Sequence, residues 1–126
     1  ASALCWYAGI DDPRARPQIE RMLEKTEFGL ASYDPEAEGF DPVRYWRGPT
    51  WPIMNYLVGS GMEEMGHLDL GERIRNDTAR LMKKNGFAEY YHPHDGSPAG
   101  GETFTWTAAV WLGWAGIHPQ SHKGAA

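Results

Sequence analysis

Glu89 lies in the run Gly86-Phe87-Ala88-Glu89-Tyr90-Tyr91, with rings on both sides. Rings that exclude water suit a carboxyl group to general acid or general base work. Acid–base hydrolysis can use two such groups. One protonates the leaving oxygen, and the other stabilises or activates the attacking group. Asp34, Asp41 and Glu102 lie in loops that could reach the same cleft, and by residue type alone Asp41 and Glu102 are candidates for the second group. The plainer reading of Glu89 is a solvated side chain just past a helix end.

Around these carboxylates stand Tyr45, Trp46, Trp51, Tyr90 and Trp106. Flat rings stack on the C–H faces of pyranose sugars and gain by the area they bury. The same rings could equally be core. Of the neighbours Tyr90 and Tyr91, one is expected to face the cleft and the other to pack; their order does not say which. The planar fork of Arg47 suits a substrate carboxylate or a structural ion pair. His92, His94 and Asp95 superficially resemble metal ligands, but a zinc site needs three or four converging groups, so they read as loop histidines beside a turn. No calcium-loop pattern joins Asp95 to Glu102. No cofactor and no metal are expected.

These residues need a scaffold, and the hydrophobic spacing supplies helices. Residues 16–25 place Ile19, Met22 and Leu23 on one face, with Pro17 in the first turn. Residues 51–65 follow, with Met54, Leu57, Val58, Met62 and Met65 at spacings of three and four. Gly59-Ser60-Gly61 could bend that helix or admit a close neighbour. Residues 69–84 carry the stripe Leu70, Ile74, Thr78, Leu81 and Met82 opposite a charged face, with Asp69 as a candidate N-cap and Asn85-Gly86 as the stop. Residues 106–114 are apolar nearly all round, which predicts a buried helix. No strand is compelling. Two long irregular segments, 27–49 and 87–104, lead into the second and fourth helices. Unstructured stretches of this length inside a compact domain are usually functional or disordered. The rings Phe28, Tyr33, Phe40, Tyr45 and Trp46 argue for order. His94-Asp95-Gly96 reads as a turn. The alternation of amphipathic and apolar helices, joined by long loops at one end, predicts an all-α helical barrel with its site at one rim.

Composition narrows the function. Six Trp, six Tyr and a net charge of −5 fit a folded chain with a ring-lined site. No basic stripe tracks a phosphate backbone, so nucleic acid is not an expected partner. A single cysteine, Cys5, excludes an internal disulfide and reads as a small buried hydrophobe. No apolar stretch approaches membrane-spanning length and no signal peptide is visible; a cytoplasmic location is the expectation.

Two motifs carry a resemblance. Tyr45-Trp46-Arg47-Gly48-Pro49-Thr50-Trp51-Pro52, followed by Asn55, resembles a signature of bacterial (α/α)6-barrel glycoside hydrolases. The similar groups are the mannosylglycerate and glucosylglycerate hydrolases and the processing α-glucosidases of glycoside hydrolase family 63. Gly86 to Tyr91, then Asp95-Gly96, Gly100 and Phe104-Thr105-Trp106-Thr107-Ala108-Ala109, resembles the final loop and inner helix of the same family. The resemblance covers most of the chain, roughly residues 4–114. It implies a partial (α/α)6 toroid comprising about the last four helices, with residues 1–116 as the C-terminal portion of a six-hairpin catalytic domain and 117–126 as a flexible tail. It implies that Glu89 is the general base of an inverting hydrolase acting on an α-glucoside or α-mannoside. The acid would be an Asp outside this chain, and the rest of the barrel a necessary partner. It also implies that Tyr45, Trp46, Arg47, Trp51, Tyr90 and Trp106 line the sugar site. The alternative is a non-catalytic remnant that binds carbohydrate.

Overall fold

The computed structural model describes residues 2–117. A short 3₁₀ turn, Ser2–Cys5, precedes α1 (Ala15–Glu24), α2 (Pro52–Glu64), α3 (Leu68–Asn85) and α4 (Thr105–Val110), and α4 runs on as a π-helical turn over Trp111–Ala115. The tail expected over 117–126 lies outside the described residues except for Ile117.

In α1, Ile19 and Leu23 are one turn apart and buried, while Met22 is half-buried. In α2, Pro52 occupies the first turn, where its missing N–H costs nothing, and the extended Trp51 precedes it. The glycines of α2 serve close approach. A Cβ on Gly59 would lie 2.5 Å from the Trp114 ring, and one on Gly61 would lie 2.6 Å from the Trp6 carbonyl. The bare helix surface therefore seats the end of α4 and the N-terminal segment. The buried face of α2 also carries Asn55, a polar residue that the apolar spacing did not include.

All five stripe residues of α3 are buried, and the helix stops at Gly86, whose φ of 75° favours glycine. Asp69 is not its N-cap. His67 holds that position, and Asp69 lies within the first turn, where its carboxylate accepts from Arg16 at 2.5 Å. On the charged face, Asp77 is buried and paired with Arg73 and Arg80. Cys5 is half-buried rather than buried.

Two further expectations need correction. The fourth helix is not buried on every side. Thr107, Val110 and Trp114 pack inward, whereas Trp106 and Leu112 are 59% and 76% exposed. Its outer apolar face is largely exposed, with Trp106 edge-on to Phe104 at 5.7 Å. The chain also holds a small ladder. β1 (Tyr90–Tyr91) pairs antiparallel with β2 (Pro98–Ala99), and single bridges join Thr50 to Tyr91 and to Ala31. Strands of two residues are too short for an alternating pattern to register in sequence.

The main core gathers Trp6, Leu23, Met62, Ile74 and Trp114 between the helices. A second cluster, Phe28, Leu81, Ala88 and Tyr91, lies directly beneath the loop that carries Glu89. No described helix is long and apolar enough to cross a membrane.

Candidate active site

The two long loops meet at Thr50 and Tyr91. The Thr50 N–H donates to the Tyr91 carbonyl at 2.8 Å, and the Tyr91 N–H returns to Thr50 at 3.0 Å. The Thr50 hydroxyl donates to the Phe28 carbonyl at 3.0 Å. Asn55 fixes the other side of the first loop: its amide accepts from Leu30 N–H at 2.8 Å and donates to the Leu30 carbonyl at 3.0 Å. Gly48 is buried where an added Cβ would meet the carbonyl oxygen of Asp41, so residues 41–48 close into a tight lobe. The lobe is sealed by Asp41 N–H donating to the Arg47 carbonyl at 2.8 Å.

This lobe presents the rings. Trp51 is buried and stacks on Trp46 at 4.1 Å and on Tyr90 at 4.9 Å. Tyr45 stands edge-on to all three, with a centroid 4.8 Å from that of Trp51. The Trp51 indole N–H donates to the Tyr45 carbonyl at 3.0 Å. Tyr45 and Trp46 remain about half exposed, so the lobe offers an aromatic lip over a fixed base.

Glu89 lies beside this lip. Its Oε1 accepts from the Tyr45 hydroxyl at 3.3 Å, and its Oε2 accepts from Gly101 N–H at 3.3 Å. The backbone around it is tied on three sides. Glu89 N–H donates to the Gly101 carbonyl at 2.9 Å, the Thr107 hydroxyl donates to the Ala88 carbonyl at 2.7 Å, and Phe104 N–H donates to the Phe87 carbonyl at 2.8 Å. The Tyr91 hydroxyl donates to the Gly86 carbonyl at 2.5 Å and accepts from Ala88 N–H at 2.9 Å. Burial pushes that phenol up to about 12. Tyr91 is thus the packing member of the tyrosine pair, and Tyr90 is the ring that joins the lip. Loss of hydration, and then the charge of Glu89, push the Tyr45 phenol up, so it stays protonated and able to donate.

The other candidate residues fall elsewhere. Trp106 does not join the Tyr45–Tyr90 rings. It lines a separate apolar hollow of about 390 Å³ with Ile53, Tyr56 and Trp114. A larger hollow, about 480 Å³, runs along Trp46 and Trp51 towards Met22 and Asp34, but Glu89 does not line it. The Arg47 guanidinium donates to the Gly39 carbonyl at 3.1 Å and braces the lobe. Asp34 pairs with Arg21 at 3.2 Å, Asp41 accepts from Val43 N–H at 3.1 Å within its own turn, and Glu102 is exposed. His92 Nδ1 accepts from the backbone of His94 at 3.3 Å inside the turn, and Asp95 accepts from Ser97 N–H at 2.7 Å. Among the described residues no three His, Cys, Asp or Glu gather to hold a metal.

Residue types alone gave no warning that Thr107 and Tyr91 tie the backbone beside Glu89, or that the Glu89 side chain packs against Gly100. The available signal was their place in the second motif, with Gly100-Gly101 marking a backbone that passes close to something.

Comparison with known proteins decides the family. Residues 1–107 match the family described as the mannosylglycerate hydrolase MGH1-like glycoside hydrolase domain. The chain belongs to this family. It is 43% identical over 96 residues to mannosylglycerate hydrolase MGH1 of Selaginella moellendorffii, covering 76% of this chain and 20% of that protein. It is 36% identical over 125 residues to the glucosylglycerate hydrolase of Mycolicibacterium hassiacum, covering 92% and 27% respectively. Its fold superposes with a TM-score of 0.81 on the GH63 mannosylglycerate hydrolase of Thermus thermophilus in complex with glucose. That match is at 40% identity and covers 85% of this chain and 28% of that one. The helices are therefore part of an (α/α) toroid, and the chain spans only about a fifth to a quarter of the length of these curated relatives.

Proposed function

We propose that this chain supplies the general base and part of the sugar-binding wall of an α-glycoside hydrolase. Glu89 activates a water molecule, and an aspartic acid outside this chain protonates the leaving oxygen, so that the anomeric centre inverts. Tyr45, Trp46 and Tyr90 form the lip against which a pyranose stacks, with Trp51 as its base. Trp106 meets substrate or a neighbouring barrel element from the far side of α4. Arg47 holds the lobe in shape and can turn to a glycerate carboxylate. The substrate is an α-glucoside or α-mannoside, with glucosylglycerate and mannosylglycerate preferred over long glycans. The remaining helices of the toroid are the partner that covers α4.

The observation that carries this reading is a carboxylate held between two hydrogen-bond donors beside a stacked aromatic lip. The relatives named as mannosylglycerate and glucosylglycerate hydrolases support this choice of substrate class. The test is to incubate the complete polypeptide that carries this segment with glucosylglycerate, mannosylglycerate and simple α-glucosides, and to follow the released sugar by proton NMR. Early appearance of the β-anomer supports an inverting hydrolase. Sugar binding without release would favour the carbohydrate-binding alternative.

A further inference from the structure

A carboxylate that activates water must present one oxygen along a fixed line, yet the terminal torsion of a glutamate is broad. In this site one donor sits on each Glu89 oxygen. Gly101 N–H is part of the backbone. The other donor is a side chain, Tyr45, and its placement is unusual. Tyr45 is the only described non-glycine residue with positive φ, at 26°. A bulky residue in that region is strained, and it persists only where its surroundings enforce it. Here the Trp51 indole N–H grips the Tyr45 carbonyl at 3.0 Å, and the ring lies edge-on to Trp46, Trp51 and Tyr90. Stacking on a sugar would not need this backbone. Directing the phenol oxygen towards Glu89 does give it a purpose. The 3.3 Å contact is long for O–H···O, as hydrogen bonds in unliganded sites often are before substrate tightens them.

We infer that Tyr45 is a positioning residue for Glu89: held by Trp51, its hydroxyl fixes the plane of the carboxylate that aims the attacking water. This rests on the reading of Glu89 as the general base. Tyr45 acts through Glu89, so its contribution exists only while Glu89 is a carboxylate.

The experiment compares wild type, Tyr45→Phe, Glu89→Gln and the double variant in the complete polypeptide, on whichever of glucosylglycerate or mannosylglycerate it hydrolyses. Phenylalanine keeps the edge-on ring and removes only the hydroxyl. Misaiming a reacting group costs up to about 10²-fold, so Tyr45→Phe is expected to lower kcat by about 10- to 100-fold with KM within about threefold. In the Glu89→Gln background the same change should add no further loss. A loss that multiplies onto Glu89→Gln, or one that resides in KM, overturns the positioning role and leaves Tyr45 as a sugar contact. A Glu89→Gln variant that keeps wild-type kcat instead overturns the general-base reading itself, and the inference with it.

Discussion

The two long loops of this chain are built to different tolerances. The first, 27–51, is anchored at its foot by Asn55, Thr50 and Gly48, and its tip carries half-exposed rings. The second, 86–104, is bonded along its length. Tyr91, Thr107, Phe104 and Gly101 each hold a backbone group within a few residues of Glu89. The difference follows the chemistry each loop would perform. A stacking wall gains from buried area and tolerates small shifts, whereas a proton-transferring carboxylate loses rate with small displacements.

Asn55→Ala strikes the foot of the first loop and should have the largest effect on stability. It strands the N–H and carbonyl of Leu30, both of which it now satisfies, and should cost about 2–4 kcal/mol. Thermal unfolding of the complete polypeptide reads this as a lowered midpoint. Gly100→Ala should instead act on the second loop and on turnover. The glycine has a φ of 73°, and an added Cβ would lie 2.5 Å from Glu89 Oε2 and 2.7 Å from Glu89 Cβ. The carboxylate must move, so kcat should fall on the order of 10²-fold. If Gly100→Ala were kinetically silent, the contrast between the loops would collapse.

Tyr91→Phe sharpens the comparison at the point where the loops join, with the smallest effect. Removing the hydroxyl unpairs Gly86 and Ala88 and should cost roughly 1–2 kcal/mol at neutral pH. The sign of its pH dependence follows from burial. Folded Tyr91 ionises at about 12, against an ordinary value of 10.0. The unfolded chain releases this proton first, so the contribution is complete below about pH 10 and fades as pH rises through about 12. Stability measured across that window should fall less steeply in Tyr91→Phe than in wild type.

What the sequence disclosed depended on the range of the interaction. The stripe of α3 was legible because its five residues repeat within one continuous segment, and Gly86 marked its end. The ring lobe and the Glu89 loop were legible as motifs, but their geometry was not. Thr50 meets Tyr91 from the other long loop, a pairing that no local period reports. The packing role of Tyr91 and the lip role of Tyr90 depend on which face of a two-residue strand turns inward, and that is set by this pairing. Trp106 shares a motif with the site yet lies on a different surface, because a helix separates its exposed face from the Thr107 face that holds the loop. The apolar circumference of α4 predicted burial. Among the described residues Thr107, Val110 and Trp114 realise it, while Trp106 and Leu112 stay exposed.

The proposed general base is Glu89. Its most direct test is the kcat of the complete polypeptide on glucosylglycerate and mannosylglycerate before and after Glu89→Gln. Loss of general base catalysis predicts a fall of about 10²–10⁴-fold with little change in KM. Turnover that survives the substitution within a fewfold would assign the water-activating role to another residue.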